Sequence, residues 1–469
     1  MKKCIILFLA LCNFGFAQLG NFNMHLLERI DTRRVPSQYN PPWHYSSCWG
    51  YTAPDGREYA LLGCVLGTQV IDITDTADIR EVYFKPADIN FNNFDPGFGW
   101  REMKVYSHYM YVVSFADSSR LEIFDLQGLP DTVVFVGKIS LPGHSKTRTI
   151  SQSGPYLYLN GSNIGFGQGT QIVDITNPVN PVLRGSWNVD YVHDSRIIND
   201  TLYTANILAG RLAIIDVTNK DSAKFITSFQ TLPVPYTHNC ALSDDRKFIF
   251  TTDEIENPPG KLKIWNIENI FDITYIATWS PTGIPDAVVH NIEVYGDTAV
   301  IAHFLAGIRV LNIADPPNPL EIGWYDTFPS SNANQFGGCW AVYKFPSGKI
   351  IGSDMFTGLY VLRMGTPIGI QLISNNIPAD HVLFQNYPNP FNPVTKIMFS
   401  VPNTGNKNEI SEIAVYDVLG KKLSTLLNSN LNPGTYELEW NAENYPSGVY
   451  FYRLNTGKYS ETKKMILIK

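Results

Sequence analysis

Hydrophobic and polar positions repeat along this chain on two scales. The short scale is a run of five or six residues that alternates or stays apolar, as in Gln171-Ile172-Val173-Asp174-Ile175, bounded by Gly, Pro, Asn or Asp. That pattern predicts short β-strands stopped by turns. The long scale is a phrase: a turn, a strand, a Gly-containing loop, then an apolar strand ending in Asp or Asn. It reads "DGREYALLGCVLGTQVIDIT", and returns as "NDTLYTANILAGRLAIIDVT" and "GDTAVIAHFLAGIRVLNI". Seven copies occur at a spacing of roughly 40–50 residues, and a further strand follows most of them, as in "DPPNPLEIGWYDT". Four strands per repeat at this period predict an all-β chain built as a seven-bladed β-propeller.

The seventh copy stops at Met364 with no outer strand. Upstream, Met24–Thr32 reads like the outer strands of other copies. The expectation is that this segment completes the last blade, so that residues 18–364 form a ring without an open edge. Residues 365–380 read as a linker. Beyond them Ile397–Val401, Glu412–Asp417, Tyr436–Trp440 and Val449–Leu454 predict a compact seven-strand, Ig-like β-sandwich over 381–469.

The N-terminus differs from both. Lys2 and Lys3 precede the apolar run Cys4–Cys12, and Gly15-Phe16-Ala17 places small residues where a signal peptidase reads. Residues 1–17 are thus expected to be a signal peptide, and no later apolar run has the ~20 residues of a membrane span. Net charge is −7 with no basic block, which argues against nucleic-acid partners. Nothing in the sequence calls for more than one copy, and the propeller is expected to be a monomer.

Two sets of motifs carry a resemblance. The repeats, through "QVIDIT", "QIVDIT" and "LAIIDVT", resemble LVIVD-repeat propellers, often found in exported proteins of the choice-of-anchor B type. The C-terminal segment runs from "NYPNPF" through "VYDVLGKKL" to "PSGVY" and a Lys-rich end. It resembles the type A sorting domain of the type IX secretion system. That resemblance implies a Bacteroidetes-type source, engagement of the type IX machinery, and a mature protein secreted or attached at the outer-membrane surface.

Candidate chemistry gathers at one repeat position, the start of the innermost strand. Trp49, Trp100 and Trp340 are placed there in the first, second and seventh blades, and His144, His193, His238 and His290 in the third to sixth. A second ring is expected where the next strand ends, at Asn206, Asp253 with Glu254, His303 and Asp354. Imidazoles beside carboxylates could hold a divalent transition metal in the channel, or act as general acids and bases. Equivalent histidines propagated by duplication can equally be structural. The tryptophans form either a stacking platform for a ligand or packing between converging blades. Arg101, Glu102, Asp194 and Arg196 lie near this rim, as ion pairs or ligand contacts.

Of the six cysteines, Cys4 and Cys12 leave with the signal. If Asp55-Gly56-Arg57 is a hairpin turn, Cys48 and Cys64 are equidistant from Gly56, and a Cys48–Cys64 disulfide is the first expectation. Buried free thiols are the alternative. The leading functional expectation is a surface or secreted binding module for a glycan or protein ligand. The alternatives are a metal-assisted hydrolase or lyase on polysaccharide or peptide, and a structural surface protein.

Overall fold

The computed structural model describes residues 21–37, 43–88, 99–116, 119–162, 169–281, 284–331, 335–364, 371–374, 376–403, 410–431, 433–442, 445–457 and 459–469. The expected signal peptide, 1–17, lies outside the described residues.

Seven sheets each contain four consecutive antiparallel blade strands or their equivalent. Blade one runs Tyr45–Thr52, Glu58–Cys64, Gly67–Asp72 and Arg80–Pro86 from the inside outward. The innermost strands of blades two to seven are Arg101–Tyr106, Thr149–Ser153, Asp194–Ile198, Thr237–Leu242, Asn291–Tyr295 and Cys339–Lys344. Each innermost strand touches the next in order, and that of blade seven touches that of blade one. The ring is therefore closed. In blade seven the outermost strand is Met24–Ile30, paired antiparallel with Gly358–Met364. Asn21–Phe22 adds a fifth strand to blade six, opposite Trp324 and Tyr325.

The repeated acidic or amide residue has a local cause. At the end of the third strand of a blade, Asp72 Oδ1 accepts the Thr74 N–H at 2.9 Å, and Asp174 and Asp216 accept those of Thr176 and Thr218 at 2.8 Å. Asn266 and Asn312 do the same for Glu268 and Ala314. Each side chain imitates a backbone turn and releases the chain outward after the strand.

Packing explains the alternation. One apolar cluster fills each interface between neighbouring blades; that between blades three and four holds Tyr158, Ile172, Val192, Leu202, Ala213 and Ile215. A blade alone leaves both faces wet, so each of these clusters exists only because the next blade is present.

Two four-stranded sheets form the C-terminal unit. They share a core of Ile397, Phe399, Val415, Trp440, Tyr452 and Leu454. The expected seven-strand count is corrected here. Gln371–Ser374, assigned to the linker by sequence, pairs with Gly434–Asn441 as an edge strand and makes eight. The Asn-Tyr-Pro-Asn-Pro-Phe opening is anchored rather than loose. Asn386 Nδ2 donates to Thr395 Oγ1 at 2.9 Å, its backbone N–H donates to Tyr452 Oη at 2.7 Å, and Phe391 enters the core.

The expected Cys48–Cys64 disulfide is not formed; all four described cysteines are free and buried. The hairpin loop closes with Ala53 N–H on Arg57 C=O, which centres it on Asp55 rather than Gly56. Cys48 then faces Leu62, and a bulge further up the strand puts Tyr45 opposite Cys64. Cys48 Sγ instead lies 3.5 Å from the Ala341 carbonyl in blade seven, and Cys64 Sγ lies 3.3 Å from that of Gly67.

Candidate functional site

The inner strands deliver a set of side chains to one mouth of the channel. Trp100, Arg148, His193 and His290 each sit immediately before the innermost strand of their blade, while His238 and Trp340 are the second residues of theirs. All six line a single pocket. The imidazoles run in sequence round the rim: His193 to His238 is 4.2 Å between ring centroids, His238 to His290 is 4.4 Å, and His290 to Trp340 is 4.7 Å. The Arg148 guanidinium lies 4.8 Å from the Trp100 ring and 5.6 Å from the Trp340 ring, and so completes the rim.

Two residues expected here are elsewhere. His144 precedes its strand by five residues; it is buried with Nε2 2.6 Å from Thr147 Oγ1 and does not line the pocket. Arg148 holds the blade-three position instead. Trp49 is the fifth residue of its strand, which carries it one layer deeper. There Lys104 Nζ lies 3.2 Å above its ring, a cation–π contact that occupies the face expected to stack on a ligand. Arg148 was missed because the repeats were matched by residue type. Matching strand starts instead pairs Arg148-Thr149 with His193-Asp194.

Of the second ring only Glu254 turns into the mouth. Its Oε2 approaches His238 Nε2 at 3.3 Å and its Oε1 approaches His290 Nε2 at 3.7 Å. Asn206 instead donates to Asp190, and Asp253 pairs with Lys263 at 2.7 Å in the protein interior. Asp354 accepts from Thr327 and from the backbone N–H groups of Phe356 and Thr357. His303 is buried at the edge of Trp279.

Electrostatics in the mouth follow from burial. Desolvation holds His193 and His238 well below the ordinary imidazole value, with the Arg148 charge adding to it, and brings His290 to about 3. These imidazoles are therefore neutral at pH 7. Burial pushes Glu254 up to about 7, against the opposing pull of Arg148. Arg148 Nε donates to His193 Nε2 at 3.1 Å.

Below this rim Glu102, Lys104, Asp194, Arg196 and Glu293 line a second cavity, and Glu102 borders both. Asn239 Nδ2 donates to Asp194 at 2.6 Å, and Arg196 grips Glu293 in a bidentate pair. Arg101 borders the mouth pocket, but its guanidinium is paired with Glu122 at 3.2 Å between buried groups.

Comparison with known families agrees with this architecture. Residues 144–189 and 288–327 match the LVIVD repeat, and residues 385–469 match the secretion system C-terminal sorting domain. The chain is an LVIVD-repeat β-propeller protein that ends in a type IX sorting domain, and it is exported by that route to the cell surface or beyond. Its C-terminal unit is the part that engages the secretion machinery. No helix among the described residues is long and apolar enough to cross a membrane.

No curated protein sequence matches the chain. Among solved structures it is similar to a periplasmic gluconolactonase of Pseudomonas aeruginosa, at 9% identity and a TM-score of 0.48, over 85% of this chain and 99% of that one. It is also similar to a functionally unknown protein of Desulfotomaculum acetoxidans, at 8% identity and 0.46, over 62% of this chain and 88% of that one. A protein of Lactobacillus plantarum matches at 10% identity and 0.46, over 84% and 99%. Likeness at this level says nothing of ligand or chemistry.

Proposed function

We propose that the chain is an extracellular binding module, released from a signal peptide at residues 1–17, whose recognition face is the mouth of the propeller channel. The observation that carries this reading is Arg148. Its guanidinium is held between Trp100 and Trp340, with Nε committed to His193. Among the described residues no protein acceptor is bonded to its two terminal nitrogens. A fixed planar cation between aromatic walls suits a carboxylate or sulfate carried on a sugar or peptide. The ligand class is therefore an acidic glycan or an acidic protein segment.

Glycan and peptide arrays probed with the untagged secreted protein test it. Binding that is lost in Arg148→Ala and in Trp340→Ala, with melting temperatures unchanged, is the expected result. Silence on both arrays overturns the reading and leaves a structural surface role. A metal-assisted hydrolase or lyase is the second reading. The approach of His193, His238 and Glu254 favours it, since these offer ligand atoms within 4.8 Å of one another.

A further inference from the structure

We propose that His238, His290 and Glu254 form a binding site for one divalent transition-metal ion, with His193 as its adjustable fourth member. The site deepens the mouth reading above and rests on it only in placing a ligand at this end of the channel.

The first step is the tautomer of each ring. His238 Nδ1 lies 3.2 Å from the carbonyl oxygen of His290, and His290 Nδ1 lies 2.5 Å from that of Trp340. A carbonyl only accepts, so each Nδ1 carries the hydrogen and donates it. In a neutral imidazole the other nitrogen, Nε2, then holds a lone pair. Backbone carbonyls that fix the remote ring nitrogen in this way are the usual outer support of a metal-ligating histidine.

The second step is where those lone pairs point. Both Nε2 atoms are buried without a hydrogen-bond partner, and both face the carboxylate of Glu254. An ionised carboxylate also only accepts. Two imidazole acceptors thus face the two oxygens of one carboxylate, at histidines that are 2% and 1% exposed. The Glu254 side chain is only 15% exposed, so screening there is weak, and while Glu254 is ionised no described side chain supplies a donor between them. A cation at that point converts each repulsion into a bond.

Distances decide which cation fits. Zinc-like ions take nitrogen and oxygen ligands at about 2.0–2.2 Å in tetrahedral array, which sets neighbouring ligand atoms about 3.3–3.6 Å apart. The His238 Nε2 to Glu254 Oε2 separation of 3.3 Å meets this spacing, whereas His290 Nε2 lies 3.7 Å from the other oxygen, Oε1, and joins by a small inward shift. Calcium and magnesium prefer all-oxygen sets, whereas two imidazoles and one carboxylate suit zinc, cobalt, nickel or iron. His193 brings a third imidazole into range. Its Nε2 accepts from Arg148, so joining through that atom exchanges the hydrogen bond. The same exchange turns Arg148 toward any anion bound on the metal's open side.

The competing account is a proton shared between Glu254 and His238. Calorimetric and visible titration of the untagged, chelator-stripped secreted protein with Co(II), then Zn(II), separates the two. One equivalent of Co(II) with the visible bands of four- or five-coordinate geometry, displaced by Zn(II), is expected. His238→Gln and Glu254→Gln should each weaken binding by about 100-fold or more, at the upper end of losses seen even for second-shell changes. His144→Ala, remote from the site, should leave binding unchanged. Each variant is first checked for the parent's circular dichroism, and His290→Gln replaces any that fails it. Folded protein that binds neither ion overturns the proposal, and so does one-equivalent binding that no substitution at this site weakens. Metal binding with silent arrays would sink only the acidic-ligand reading, and array binding without metal would sink only this one.

Discussion

Arg196 in blade four reaches across the channel to Glu293 in blade six, with Nη1 2.9 Å from Oε2 and Nη2 3.0 Å from Oε1. Nε and Nη2 also donate to the carbonyls of Cys240 and Ile292, at 3.2 Å each, so the guanidinium ties blades four, five and six together. Burial opposes the Arg196 charge, but the Glu293 and Asp194 carboxylates together more than offset it. The two side chains are 22% and 16% exposed, so removing one partner leaves a partly screened charge, at a cost of about 1–3 kcal/mol. Glu293→Ala should therefore lower the urea midpoint strongly. The double variant Arg196→Met, Glu293→Leu should recover much of the loss, since desolvating the pair is itself expensive. A double variant no better than the single one would show that the carbonyl contacts dominate.

The buried histidines make stability depend on pH in a stated direction. Burial lowers His144 to about 4 and His290 and His303 to about 3. The unfolded chain takes up protons near pH 6.5, while the folded chain does not until well below that. Stability is therefore full above about 6.5 and lost as pH falls toward 3–4. Each such group costs about 2 kcal/mol between pH 7 and pH 5, at roughly 1.4 kcal/mol per unit below 6.5. Urea unfolding at both pH values should show the parent losing about 2 kcal/mol more than His303→Leu over the same interval. Equal losses would mean that His303 is already protonated or is exposed at pH 5.

The propeller was legible because its repeat is written in turn chemistry and strand alternation, both of which are local. Asp72, Asp174 and Asp216 recur since each closes its own turn. The site was legible only in part, because it depends on register. Bulges between Tyr45 and Cys48, Thr237 and Asn239, and Cys339 and Ala341 shift the inner strands individually. Matching residue types at strand starts then places Trp49 on the rim, when it belongs beside Lys104 one layer down. His144 misled for a different reason. It shares a residue type with His193 but not a strand position, and the arginine that does share it carries no resemblance to a histidine.

Thiol chemistry checks the corrected cysteine assignment. Cys48, Cys64, Cys240 and Cys339 are all free, and burial raises the Cys48 and Cys64 thiols to about 12 and about 11. Protonated, inaccessible thiols react slowly. The secreted protein should show no titratable thiol when native and four in guanidinium, and its melting temperature should be the same with and without reductant. Two thiols in guanidinium, or a melting temperature that falls with reductant, would restore a disulfide.

The strand Met24–Ile30 is a sensitive point of the ring, because one short segment serves two interfaces. Met24 is fully buried in the cluster between blades six and seven, and Ile30 enters the cluster between blades seven and one. The strand between them covers the edge of Gly358–Met364. Met24→Ala or Ile30→Ala should each cost about 2–5 kcal/mol through lost burial and the cavity left behind. Deleting residues 21–32 should do more than add those costs. It exposes an apolar strand edge able to pair with another molecule, so the expected product aggregates as well as unfolding at lower urea. Light scattering alongside urea unfolding separates the two effects. A deletion that stays monomeric with the parent's midpoint would show that the remaining strands close the ring without it.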